Sequence, residues 1–322
     1  MTSTGPAALR RPLLSQCPPG VGAAVEEVVA DRVVGEQPAA AGFTTAVAST
    51  VLLARGGRVF VKAGEIGDPA GEAVTVGADL APVIGDLGPA LLGHRTLDGW
   101  SVAVYEHVAG TAVEEWDDDA VHAMQRLSHR LRERLDPSPV DRTTPYAHAF
   151  LPLLGCWAAL DDPGHPDRPR VEHLAGLALP HGLDVARLAD LERRWLDRLA
   201  QGDALQHGDL RADNVVREPG GRLWLVDWTH RWTAPGWADL VRLAPDLAAH
   251  GGHDPEAFLA RSAWGDAPRD GVDVMLAGLA GRAWRDGHLP DVPGLPGLRR
   301  MQREQADATL AWLARRLGGP RS

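Results

Sequence analysis

The chain has 322 residues, a formal net charge of −10, 44% hydrophobic and 24% charged residues, which is the composition of a folded globular protein with room for two cores and excludes a disordered chain. The negative balance argues against a general nucleic-acid binder and favours neutral or cationic partners. Two cysteines, Cys17 and Cys156, are too few for a disulfide scaffold and lack zinc spacing; with no membrane-length apolar run and no signal-peptide core after Arg10 and Arg11, a cytoplasmic protein without a membrane contact is expected.

Residues 1–40 are rich in Pro and Ala, with one short helix expected around Val25–Val33. GFTTAVASTVLLARGGRVFVKA (42–63) then reads as a Gly/Thr loop, a β-branched strand, a tight turn at Arg55-Gly56-Gly57 and a second strand that puts Lys62 on the face of Phe60. Asp68-Pro69 opens a helix, and WSVAVYEHV (100–108) is a buried strand ended by Gly110. Beyond it the text is mainly helical: the Asp117-Asp118-Asp119 run suits the start of a helix carrying Val121, Met124, Leu127 and Leu131, and an amphipathic helix is predicted over Val185–Leu199. HGDLRADN (207–214) leads into a hairpin, NVVRE and RLWLVDW around Pro219-Gly220-Gly221, and helices resume at Ala238, over Asp270–Arg285 and over Leu298–Leu317. There is no internal repeat and no heptad pattern.

Residue usage sharpens the picture. Of 33 basic residues one is Lys, Lys62, and the chain has one Asn, Asn214; in so Arg-rich a text, a residue type used once marks a position where no substitute serves. Asn214 and Asp227, at one end of a hairpin, can share Mg²⁺, a hard cation that takes oxygen ligands together with phosphate oxygens. Asp209 stands apart from them, suited to receive an acceptor hydroxyl. Lys62 is suited to phosphate as a compact point charge, which the planar fork of Arg is not.

HGDLRADN followed by VDW resembles the catalytic and metal loops of the aminoglycoside phosphotransferase family. The order of features agrees from about Gly42 to at least Leu240. The resemblance implies an α+β, bilobal protein-kinase-like fold, with a small β-rich N-lobe at 1–108 (a five-stranded-type sheet plus a helix) and a larger helical C-lobe at 109–322. It implies Asp209 as catalytic base, Asn214 and Asp227 as Mg²⁺ ligands, Lys62 as the third-strand lysine and Glu72 as the helix carboxylate that pairs with it. The Glu106 carbonyl and Val108 amide would meet the adenine of ATP, and Asp239 would anchor the catalytic-loop backbone. Gly208 stands where regulated protein kinases have Arg, which implies constitutive small-molecule activity. Arg211 would steady the transferring phosphoryl group. GFTTAVAST has a single Gly, so Gly42, Thr44 and Thr45 form a reduced nucleotide loop.

The expected activity is ATP-dependent transfer of the γ-phosphoryl group to a hydroxyl of an antibiotic or hydroxylated metabolite, by a monomer or homodimer. The competing expectation is an inactive kinase-fold regulator that binds nucleotide, against which the joint presence of Lys62, Asp209, Asn214 and Asp227 speaks. A polycationic acceptor needs a carboxylate cluster, and Asp246, Asp254, Glu256, Asp266, Asp270 and Asp273 are the candidates, scattered in sequence. His207 is expected to brace its loop, and Asp213 to be solvated. His122 and His129 are expected to be ordinary helix residues rather than metal ligands. Core packing is the base expectation for Trp228, Trp232 and Trp237, with an acceptor-pocket wall as the sharper alternative.

Overall fold

A computed structural model of the chain describes residues 11–39, 46–293, 295 and 297–318. These form two compact units: residues 11–113 together with Ala212–Arg231, and Glu114–Arg211 together with residues 232–318. The chain therefore passes from one unit to the other at 113/114, 211/212 and 231/232, where the sequence suggested one passage after residue 108.

The first unit opens with α1 (Pro19–Val29), then β1 (Val33–Pro38), β2 (Val47–Leu53) and β3 (Arg58–Glu65). After α2 (Pro69–Ile84) come β4 (Leu91–Leu97), β5 (Trp100–Glu106) and the two-residue β6 (Thr111–Ala112). β1 to β5 make one antiparallel sheet in the order β1-β2-β3-β5-β4. Strand alternation decides its two faces. Val59, Val61 and Ala63 of β3 join Val47, Val51, Val102, Val104 and α1's Val21 and Val25 in one core. The other face carries Phe60 and Lys62, with Lys62 in register with Ala103, and α2 covers it through Val74 and Ala78 against Ala103 and Tyr105. Helix α1 ends at Val29, short of the expected Val33, because Ala30 turns left-handed (φ 51°) and Val33 starts an edge strand.

The second unit runs through α3 (Asp118–Leu135), β7 (Thr144–Pro145), α4 (Tyr146–Phe150), α5 (Cys156–Asp161), α6 (Val185–Arg193), α7 (Trp195–Leu199) and β8 (Ala204–Gln206). The expected Val185–Leu199 helix breaks at Arg194 (ψ 4°), which turns Trp195 into the core. The excursion Ala212–Arg231 then adds β9 (Val215–Arg217) and β10 (Leu223–Leu225) to the first unit, where β9 pairs with both β10 and β6. Back in the second unit come β11 (Trp232–Ala234), α8 (Ala238–Ala249), α9 (Pro255–Ala260), α10 (Arg269–Gly287) and α11 (Leu298–Arg316). β11 lies between β7 and β8.

Asp117 caps α3 by accepting from the Ala120 amide (2.7 Å), with Asp118 and Asp119 in the positive first turn. Helix α10 is buried on all sides over residues 271–278. Its Gly271, Gly278 and Gly281 face the indoles of Trp237, Trp195 and Trp157, leaving 3.0, 2.6 and 2.8 Å where a Cβ would stand. No helix of the described residues is long and apolar enough to cross a membrane.

The start of α2 is pressed onto the end of β3. A Cβ on Gly71 would lie 1.9 Å from the Glu65 carbonyl oxygen, and one on Gly64 would lie 2.7 Å from the Gly71 amide nitrogen. Backbone cannot yield as a side chain can, so Gly71→Ala should lower the urea-unfolding free energy by about 1–3 kcal/mol. Gly22→Ala, in a helix interior with open space, should leave stability unchanged or raise it by up to about 1 kcal/mol.

Candidate active site

In the strand-rich unit, the one lysine and the penultimate residue of the predicted hairpin meet. Lys62 Nζ pairs with Asp227 Oδ1 across 165 residues of sequence, with the two side chains 20% and 37% exposed. Backbone conformation presents the acid. The β9–β10 ladder continues one step past Leu225, where the Val226 amide donates to the Asn214 carbonyl (2.9 Å). Asp227 then leaves the strand in the left-handed region (φ 68°), a conformation that costs a non-glycine residue about 1 kcal/mol or more and that clusters at functional positions. Asn214 closes a 3₁₀ turn, Ala212–Asn214, and is buried. The loop behind Asp227 is packed on backbone: a Cβ on Gly77 would stand 2.8 Å from the Trp228 carbonyl oxygen, and one on Gly88 equally close to that of Leu225. Burial, with the charges of Asp227 and Asp79 behind it, raises the Tyr105 hydroxyl pKa, so that group stays protonated. Burial lowers the Arg11 guanidinium pKa while Asp227 opposes the shift.

Glu72 is not the partner of Lys62. It sits exposed in the first turn of α2, because the stripe that meets the sheet is Gly71, Val74, Thr75 and Ala78. Thr75 Oγ1 lies 2.8 Å from Ser101 Oγ, which in turn lies 2.9 Å from His94 Nε2. Asp227 supplies the carboxylate in its place. Glu106 ends β5 with its carboxylate accepting from the Ala90 amide (2.9 Å), and the Val108 carbonyl accepts from Gly110 (3.0 Å). Gly42, Thr44 and Thr45 lie outside the described residues.

The helical unit holds the other half of HGDLRADN. Strand β8 delivers the loop, and Asp239 fixes it: its Oδ2 accepts from the His207 amide (2.5 Å) and its Oδ1 from the Gly208 amide (3.0 Å). The Asp239 amide in turn donates to Gln206 Oε1 (3.1 Å). Gly208 takes φ 80°, which a β-carbon would disfavour. His207 is buried, and its Nδ1 accepts from the Asp209 amide (3.3 Å), the bracing role expected of it. Burial raises the Asp239 carboxyl pKa, against the opposing pull of His207 and the two amides.

Asp209 has a partner that the sequence reading missed. Arg242 Nη2 donates to Asp209 Oδ1 at 2.6 Å, and Arg211 Nη2 stands 3.6 Å from Oδ2. Burial pushes the Asp209 carboxyl up, but the charges of Arg242 and Arg211 and the hydrogen bond from Arg242 outweigh it and hold the group well below the usual carboxylate range. Arg242 Nη1 lies 3.5 Å from the Tyr146 hydroxyl, whose pKa burial pushes up to about 12. Tyr146 belongs to an aromatic cluster with Phe150, Trp195 and Trp232, at centroid distances of 5.1, 5.8 and 5.5 Å. A signal for Arg242 was present: it is a lone cation among Leu240, Val241, Leu243 and Ala244, one helical turn after Asp239.

The remaining expectations divide. Trp228 and Trp237 are core, while Trp232 is half-buried against Tyr146. His122 and His129 lie exposed on α3. Among the described residues no group of three or more His, Cys, Asp or Glu could hold a metal. The oxygen donors of Asn214 and Asp227 fit Mg²⁺, which is bound through one or two protein oxygens with phosphates and water completing its shell.

No protein-family model matches the chain, and no curated protein matches it. Solved structures do. An aminoglycoside phosphotransferase from Alicyclobacillus acidocaldarius subsp. acidocaldarius DSM 446 superposes with TM-score 0.59 at 16% identity, over 89% of this chain and 92% of that one. An amicoumacin kinase in complex with AMP-PNP and Ca²⁺ gives TM-score 0.54 at 12% identity, over 88% and 93%. The choline kinase LicA from Streptococcus pneumoniae gives 0.52 at 13%, over 91% and 98%. The chain has the α+β, kinase-like fold of these small-molecule kinases and phosphotransferases, as its motifs imply.

The Arg242–Asp209 pair has a pH signature. A carboxyl with a depressed folded-state pKa stabilises the fold fully above its unfolded value, near 4, and less as the pH falls through the range below it. Asp209 is one-third exposed, so Arg242→Met should cost about 2 kcal/mol at pH 7, under the 3–5 of a fully buried pair. In urea unfolding the penalty should shrink below about pH 4; an equal penalty at pH 7 and pH 3 would trace it to packing instead.

Proposed function

We propose that the protein is an ATP-dependent O-phosphotransferase that moves the γ-phosphoryl group of ATP to a hydroxyl of a small molecule. The observation that carries this reading is the ion pair of Lys62 with Asp227, the latter turned out of its strand beside Asn214. The fold, shared with kinases, supports it.

Each residue then has a task its chemistry suits. Lys62 offers the nucleotide phosphates a compact charge. Asn214 and Asp227 hold Mg²⁺, which when bound neutralises charge on the phosphate oxygens. Arg211, beside Asp209, offers its guanidinium to the transferring group. Val108 and Glu106 offer backbone groups to the adenine edge. Gly42, Thr44 and Thr45 are proposed for the phosphates on sequence grounds alone.

Asp209 is a weak base in this setting, because two guanidiniums stabilise its charged form. Its proposed role is to accept a hydrogen bond from the acceptor hydroxyl and aim a lone pair at the γ-phosphorus. The acceptor oxygen forms the new O–P bond, the bond from phosphorus to the β–γ bridging oxygen breaks with its electron pair leaving on ADP, and the hydroxyl proton ends in solvent. A loose transition state places little demand on a strong base, so positioning and charge neutralisation carry the rate.

Mass spectrometry of Mg-ATP reactions over a panel of hydroxylated acceptors should show a gain of one phosphate. Asp209→Ala should cut turnover by roughly 10²–10⁴-fold, with Mg-ATP binding retained in calorimetry. Wild-type turnover in that variant would remove Asp209 from the chemistry.

A further inference from the structure

The acceptor is to be sought among molecules of the charge opposite to that of an aminoglycoside. We infer that the acceptor carries an anionic group, a carboxylate or a phosphate, close to the hydroxyl that is phosphorylated, and that Arg282 receives it. This rests on the phosphotransfer reading above and deepens it.

The first observation concerns the carboxylates a polycation would need. Of the six candidates, five are already engaged. Asp246 pairs with His250 (2.5 Å). Asp254 caps α9 by accepting from the Glu256 amide (3.2 Å). Glu256 accepts from Trp312 Nε1 (2.8 Å) and from Arg316. Asp273 takes Arg316 Nε at 2.5 Å, and Asp270 takes Arg194 (3.0 Å) and Arg198 (2.8 Å). Of the six, Asp266 alone stands exposed with no ion pair among the described residues. One carboxylate does not make a polycation site.

The second observation is what surrounds Asp209. Arg282, near the end of α10, lies over the Phe150 ring at 5.3 Å. Phe150 packs on Tyr146, and the Tyr146 hydroxyl meets Arg242. One chain of contacts therefore joins Arg282 to the acid. Arg282 makes no hydrogen bond among the described residues; its one ion pair, with Asp286, is long at 3.7 Å, and Asp286 is held more tightly by Arg285 at 2.8 Å. The Arg282 side chain is 35% exposed and that of Asp209 34%. Arg242 Nε is buried without a partner among the described residues. Burial and the neighbouring charge of Arg242 both lower the Arg282 pKa, as expected of like charges crowded together.

The charge count decides the class. Arg211, Arg242, Arg282 and Arg285 stand against Asp209, Asp239 and Asp286, an excess of one positive charge. An ammonium-rich acceptor brought to Asp209 would meet this excess positive charge and be repelled. A carboxylate or phosphate on the acceptor would relieve it, with the forked guanidinium of Arg282 matching either anion in two parallel hydrogen bonds. Phe150 behind Arg282 holds the fork in place.

The test is a Mg-ATP phosphotransfer assay on the full chain with three acceptor sets: hydroxylated carboxylates and sugar phosphates, uncharged polyols, and polycationic aminocyclitols. Transfer should occur to the anionic set, and its two arms tell carboxylate from phosphate. Arg282→Gln should then raise KM by roughly 10- to 100-fold with a smaller change in kcat. Arg282→Lys, which keeps the charge but not the fork, should restore only part of the affinity, and Arg282→Glu should abolish use of the anionic acceptor. Turnover of the polycations, an anionic acceptor indifferent to Arg282→Glu, or transfer to none of the sets by a protein that still binds Mg-ATP would each overturn the inference. Failure to bind Mg-ATP at all would instead overturn the phosphotransferase reading beneath it.

Discussion

The ion pair of Lys62 with Asp227 is the constraint from which the arrangement of this chain follows. It joins residues 165 apart in sequence, and it can form because Ala212–Arg231 leaves the helical unit to pair with β6 and pack on α2. That excursion fixes much else. Gly77 and Gly88 are bare because the loop carrying Asp227 lies against them. Asp227 adopts a left-handed turn because it must leave the strand to reach the lysine. The crossing point, 211/212, comes just after Asp209, so HGDLRADN is cut in two: the acid stays with the helices while Asn214 goes with the strands.

On the helical side, order propagates from Asp239. Its carboxylate holds two consecutive backbone amides, and the same helix places Arg242 one turn further on against Asp209. A short helix thus sets both the backbone and the charge state of the loop. In the proposed reaction an acid kept ionised in this way would orient a hydroxyl, and the positive charge around it would select what that hydroxyl is attached to. The excess of arginine in the composition has a structural use here: guanidiniums occupy Asp270, Asp273, Glu256 and Asp209 alike.

Much of this was legible in the sequence, for identifiable reasons. The strands of Val47–Leu53 and Arg58–Glu65 and the face of Lys62 follow from two-residue alternation. The hairpin follows from Pro219-Gly220-Gly221, and the anchoring Asp239 from the family resemblance. β1 (VVGEQP) and β4 (LLGHRTL) were not legible, because both are edge strands with mixed polar sequence and half-exposed side chains. Glu72 was misplaced because spacing from a lysine does not say which helix stripe meets the sheet. The backbones at Gly64 and Gly71 meet closely where α2 begins, and Thr75, rather than a carboxylate, faces β5. Arg242 escaped because its partner lies 33 residues away and its helix reads as an ordinary buried one.

Lys62, Asn214 and Asp227 are proposed as the metal-nucleotide end of a phosphotransferase. Calorimetric titration of ATP, with and without Mg²⁺, into the wild type and Asp227→Asn tests it most directly. The account predicts that Mg²⁺ tightens ATP binding to the wild type and that this gain disappears in Asp227→Asn, with the fold intact by circular dichroism. An equal effect of Mg²⁺ on both proteins, or none on the wild type, would contradict it.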